Sequence, residues 1–121
     1  MEQVIIELIT IQNQFRIFHW QTKTFAKHKA YGKIYDSLND LIDEFVEVCM
    51  GKHGRPNLSG GVSLLLSDIR ELEPMQFCDT IIDFLINLNN KYDETKDSDL
   101  LNIRDEMMAK INRLKYLLTL K

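Results

Sequence analysis

The stretch VIIELITIQNQFRIFHWQTKTFAKHKAYGKIYDSLNDLIDEFVEVC, residues 4–49, decides the fold. Its first part repeats apolar residues in steps of four and three, at Val4, Leu8, Ile11, Phe15 and Phe18, the period of one helix face. This predicts a first helix running to about Thr22. A second stripe, Ile34, Leu38, Leu41, Phe45 and Cys49, predicts a second helix that begins between Ala26 and Lys29 and ends near Met50, with Gly51 as its C-terminal cap. The short break between them makes the pair a helical hairpin.

Beyond the hairpin, GKHGRPNLSGG (51–61) reads as a loop from its glycines, proline and asparagine, and VSLLLSDIREL (62–72) as a short helix ended near Pro74. Pro74 suits the first position of a third helix, with Phe77, Ile81, Phe84, Leu88 and Tyr92 as its stripe. After a break at Lys96, Asp97 and Ser98, a fourth helix is capped by Asp97 or Ser98. It turns Leu100, Ile103, Met107, Ile111, Leu114 and Leu118 inward. There is no strand-like alternation and no internal repeat. The expectation is an all-α chain with one domain over residues 1–121. Its architecture is expected to be a ferritin-like four-helix bundle with a short helix in the crossover between helices 2 and 3.

A chain of 121 residues with 45% hydrophobic and 27% charged content buries one core without a metal or disulfide staple. Its net charge of -3 argues against a broad basic face for nucleic acid. The opening MEQVIIELITIQNQF has no basic leader, and its Glu and Gln residues interrupt the apolar run, so neither a signal peptide nor a membrane span is expected. Cys49 and Cys78 sit inside apolar helical patterns and read as buried thiols of a reducing compartment, which makes the cytoplasm the expected location.

The chemistry-bearing residues lie in the hairpin: His19 and His28, two of the three histidines, and the carboxylates Asp43 and Glu47 one helical turn apart. Imidazole nitrogen with carboxylate oxygen suits iron or zinc. His19 and His28 straddle the turn, so antiparallel helices bring them level, placed to share one ion. His28 and Asp43 are different, since fifteen positions of one helix separate them by roughly 22 Å. A site using all four must therefore join two chains.

The second helix suggests how. Asp36, Asp40, Asp43 and Glu47 form a stripe opposite the core face, and Lys29 and Lys33 head the same stripe, so it is basic first and acidic afterwards. Two copies packed antiparallel about residues 36 and 37 would set Lys33 against the partner's Asp40 and Lys29 against the partner's Glu44. Such an isologous homodimer makes each contact twice, and it carries His28 toward the partner's Asp43 and Glu47. The plainer reading of the same residues is a solvated charged face, a histidine at a helix start and another packed at the hairpin edge. No Glu-x-x-His, P-loop, G-x-S-x-G, CxxC or HExxH occurs, and no catalytic residue is assigned. His53 reads as a turn residue, the methionines as core filling, and Trp20 as an interface anchor.

The residues FHW at 18–20, FxxH at 25–28, Tyr35 and the pair Asp43 and Glu47 resemble the Dps family of ferritin-like mini-ferritins, and the resemblance extends over nearly the whole chain. It implies ferrous iron held at dimer interfaces by His19, His28, Asp43 and Glu47, with zinc as an alternative ion. It further implies oxidation of that iron by peroxide, a ferroxidase-like activity at most, and mineral storage inside a dodecamer. Two departures stand out: Gly32 occupies the position of a family aspartate, leaving the site a ligand short, and the His19 to His28 interval is about three residues shorter than usual. The chain is also similar to short Dps-like proteins of large viruses and phages, which implies the host cytoplasm. It lacks the lysine-rich tail with which some members protect DNA, so no stable DNA binding is expected. Two functions follow as expectations: an oligomer that binds a divalent metal between subunits and oxidises and stores iron, or a metal-vestigial Dps-like module with a structural or partner-binding role.

Overall fold

Thr24 begins the second helix by accepting a hydrogen bond from the Lys27 N–H at 3.3 Å, and only three residues separate that helix from the first. The computed structural model describes residues 1–121 and is entirely helical apart from its connections. Helix α1 spans Glu2–Gln21, α2 Phe25–His53, α3 Pro74–Asn87 and α4 Ser98–Leu117, with a 3-10 turn at Leu88–Asn90. Helix α2 packs against both α1 and α4, and α4 against α3. No helix is long and apolar enough to cross a membrane.

Most of the sequence stripes become the core. Val4, Leu8, Phe15 and Phe18 meet Ile34, Leu38, Phe45 and Cys49, and α4 adds Leu100, Ile103, Met107, Ile111 and Leu114. At one end an aromatic cluster joins three helices: Phe77 of α3 stands edge-on to Phe15 at 5.4 Å and to Phe18 at 5.7 Å, and Tyr31 of α2 lies 5.6 Å from Phe18. At the other end Lys52 ties the close of α2 to the start of α4, bonding the Lys96 carbonyl at 2.8 Å and lying 3.1 Å from Asp99. Buried Arg104 of α4 donates to the Leu85 carbonyl at 2.8 Å, which fastens α3. Both cysteines are buried and unpaired, and burial pushes the Cys78 thiol up to about 12 and the Cys49 thiol upward as well.

Two boundaries differ from the sequence expectations. The second helix runs through Gly51 to His53, because Gly54, with φ 85°, takes a positive-φ backbone open mainly to glycine and ends it, its N–H bonding the Met50 carbonyl. Helix α3 stops at Asn87, where Asn90 bonds the Asn87 side chain and the chain tightens into the 3-10 turn. Tyr92 still reaches the core, edge-on to Phe45 at 5.9 Å.

The largest correction concerns the crossover: no helix forms in 62–72, which is irregular apart from a turn at 69–71. Side chains of α1 claim the backbone groups a helix would need. Buried Gln14 acts as a surrogate strand, its Nε2 donating to the Ser67 carbonyl at 2.9 Å and its Oε1 accepting the Ser67 N–H at 2.8 Å. Gln21 accepts from the Ile69 N–H at 2.7 Å and donates to Asp68 at 3.0 Å, while Glu2 accepts from the Asn57 N–H at 3.0 Å. The segment from 57 to 69 is thus a strap laid along α1. Arg70 bonds Asp68 and holds its carboxyl well below the usual carboxylate range.

The histidine clasp and the outer face of the hairpin

The tight turn at 22–24 sets the end of α1 beside the start of α2, and the two histidines meet there. His19 Nδ1 lies 2.7 Å from the His28 carbonyl oxygen, and His28 Nδ1 lies 2.8 Å from the His19 carbonyl oxygen. A carbonyl only accepts, so each Nδ1 carries a proton, and in the neutral ring Nε2 keeps its lone pair. The rings stack with centroids 3.8 Å apart and planes inclined by 18°. The pair is a reciprocal clasp: each ring closes the hairpin by bonding the other's backbone.

In this arrangement the two histidines do not aim at one ion within a single chain. An imidazole nitrogen coordinates in the plane of its ring, at about 2.1 Å for zinc. Planes inclined by 18° and 3.8 Å apart intersect only at a distance of roughly 10 Å, far outside a coordination sphere. Nowhere in the chain do three or more His, Cys, Asp or Glu side chains gather closely enough to hold a metal ion. The donor atoms suit iron or zinc, but their arrangement within one chain does not fit either.

Gly32 explains part of this. A Cβ at this position would lie 3.0 Å from Cε1 and 3.1 Å from Nδ1 of His19, so the glycine makes room for the ring. An aspartate here would displace His19. The ring cannot retreat, because His28 stacks on it. Gly32→Ala is therefore expected to destabilise the protein by about 1 kcal/mol, overpacking outweighing a helix-propensity gain of similar size. Urea unfolding measures it; a variant stabilised by the full propensity increment would show that the ring moves freely.

Asp43 and Glu47 lie exposed on the outer side of α2, and neither enters an ion pair or a side-chain hydrogen bond. Lys29, Lys33, Asp36, Asp40 and Glu44 are exposed as well, and Lys29 and Lys33 have no carboxylate within 4.0 Å. Beside this stripe is a shelf of which the sequence reading gave only Trp20, as an interface anchor. Arg16 sits over the Tyr35 ring at 4.7 Å and the Trp20 ring at 5.4 Å. Trp20 is 64% exposed and Phe25 74% exposed, with Lys29 over the Phe25 ring at 5.5 Å. The four-residue step from Arg16 to Trp20 was the available signal.

A family model described as "Family of unknown function (DUF5856)" matches residues 19–118, starting at the first histidine of the clasp. The chain is also similar to an uncharacterized 14.6 kDa protein of the mobD-ri intergenic region of Enterobacteria phage T4. The two are 29% identical over 117 residues, which cover 94% of this chain and 84% of the phage protein. No solved structure matches.

Proposed function

We propose that this chain, which belongs to the DUF5856 family of unknown function, is a Dps-like, ferritin-like helical module that acts by self-association through the outer face of α2. One observation carries the reading: the stripe is exposed, unpaired and self-complementary, with Lys29 and Lys33 ahead of Asp36, Asp40, Asp43, Glu44 and Glu47. Antiparallel pairing of two copies satisfies both halves at once, and an isologous contact repeats each pair. The shelf of Trp20 and Phe25 supplies the apolar anchor that a charged stripe alone lacks, since exposed ion pairs contribute little. The arrangement of two parallel-running helices joined by a strap supports the ferritin-like comparison. The histidine clasp serves the hairpin's geometry, and the module works without a metal held in one chain. Two buried free thiols and the likeness to a phage protein support a host cytoplasmic setting.

A second reading has its own observation. His28 keeps an unbonded Nε2, and the same pairing carries the partner's Asp43 and Glu47 toward it, a nitrogen and two oxygens suited to iron or zinc. In that case the bound iron would supply redox chemistry, and His28, Asp43 and Glu47 would hold and orient it.

Charge reversal tests the main reading. Lys33→Glu and Asp40→Lys are each expected to abolish the two-fold pairing and so lower the mass of the oligomer in sedimentation at low salt, and the double reversal to restore it. A wild-type protein that is monomeric at every concentration would overturn the proposal, and a mass of twelve copies would extend it to a closed shell. Zinc titration of the oligomer separates the second reading: binding lost on Asp43→Ala supports it, and absence of binding removes it.

A further inference from the structure

Beyond the contacts of Phe77 with Phe15 and Phe18, the side of the molecule between α1 and α3 is open. A cleft of about 690 Å³ runs there, within the size range of ligand-binding clefts. Ile6, Ile11, Phe77, Ile81 and Phe84 line it, and Leu65 of the strap stands at its edge, 85% exposed. Val62 and Leu66 beside Leu65 in the strap, and Ile86 at the end of α3, are exposed too. An apolar cleft with the exposed Leu65 at its edge is the kind of surface that marks an interaction site. Its polar lining includes Glu7 and Asp83, neither of which is in an ion pair.

The complementary surface is on the same chain. The last turn of α4 and the residues after it expose Tyr116 at 62% and Leu120 at 48%. Arg113 and Lys121 flank them, exposed and free of ion pairs, whereas Lys115 is already held by Asp79. An apolar pair with a basic border matches an apolar cleft with an acidic border. One chain cannot make this contact with itself. Leu118 lies beside Met75 at the first turn of α3, and no residue of α4 lines the cleft.

We propose that the cleft between α1 and α3 receives the C-terminal turn of a second copy, Tyr116 and Leu120 entering it and Arg113 and Lys121 meeting Asp83 and Glu7. The contact is heterologous, head to tail, and distinct from the two-fold pairing of α2. Heterologous contacts propagate into rings or filaments, and a two-fold contact added to them closes an assembly larger than a dimer.

The test uses chains that all carry Lys33→Glu, so that pairing through α2 does not contribute and the two proposals fail separately. In that background Leu65→Asp blocks the cleft and Tyr116→Asp blocks the turn. Both sites are exposed, and circular dichroism checks that each variant keeps its helix content. The Lys33→Glu parent is expected to self-associate in native mass spectrometry and each double variant to be monomeric. Mixing the two double variants leaves one intact cleft and one intact turn, and is expected to give a 1:1 complex and nothing larger. A monomeric parent, or a mixture that stays as two monomers, would overturn the proposal. So would a double variant that still self-associates.

Discussion

Replacing Phe18 with alanine is expected to remove about 3–5 kcal/mol of stability, the range for deleting a fully buried phenylalanine. A domain of this size holds about 5–15 kcal/mol in total, so the variant would lie near the limit of folding. Phe18 is 0% exposed and contacts aromatic rings from three helices: Phe15 at 6.1 Å, Tyr31 at 5.6 Å and Phe77 at 5.7 Å. These partners come from different elements, so no single side-chain shift fills the space left behind. Urea unfolding with an unchanged slope would report the loss as a lowered midpoint. A loss below about 1 kcal/mol would mean that the cluster collapses onto the gap and that the packing is looser than the ring geometry states.

Gln14→Leu is expected to cost about 2–4 kcal/mol, although leucine is the more apolar residue and the site is 2% exposed. The loss comes from the strap, because Ser67 would keep a half-buried N–H and carbonyl that lose their partner. Hydrogen exchange localises the effect: the Ser67 and Ile69 amides should lose protection while the α2 core amides keep theirs. Gln14→Glu separates the two bonds, since a carboxylate still accepts from the Ser67 N–H but no longer donates to its carbonyl. Equal stability of the leucine variant and the wild type would show that water replaces the amide and that the strap is not fixed by it.

The helices were legible because their signal is repetitive. Stripes such as Val4, Leu8, Phe15, Phe18 and Leu100, Ile103, Met107, Ile111 recur at helical spacing and lead directly to the observed core. The level position of His19 and His28 was legible as well, following from a short turn between antiparallel helices. The orientation of their rings was not, since it depends on carbonyl partners and on the missing side chain at Gly32. The strap was misread for a related reason. VSLLLSDIREL has local helical spacing, yet its conformation is set by Gln14, 53 positions from Ser67, and by Gln21, 48 positions from Ile69. Interactions at that separation leave no periodic trace in a single chain.

The strap also orders the events of folding. Closing the loop from Gln14 to Ser67 directly spans 53 positions, but once the α1–α2 hairpin exists only the segment 54–67 is left to close. Because closure entropy grows with the logarithm of loop length, the preformed hairpin lowers that cost by about 1.2 kcal/mol. Hairpin contacts are local in sequence and form fast, whereas the strap has no helix of its own to propagate. It is therefore expected to dock after the hairpin and to detach before it, which hydrogen exchange at the Ser67 and Ile69 amides would show as openings that leave the α1–α2 amides protected.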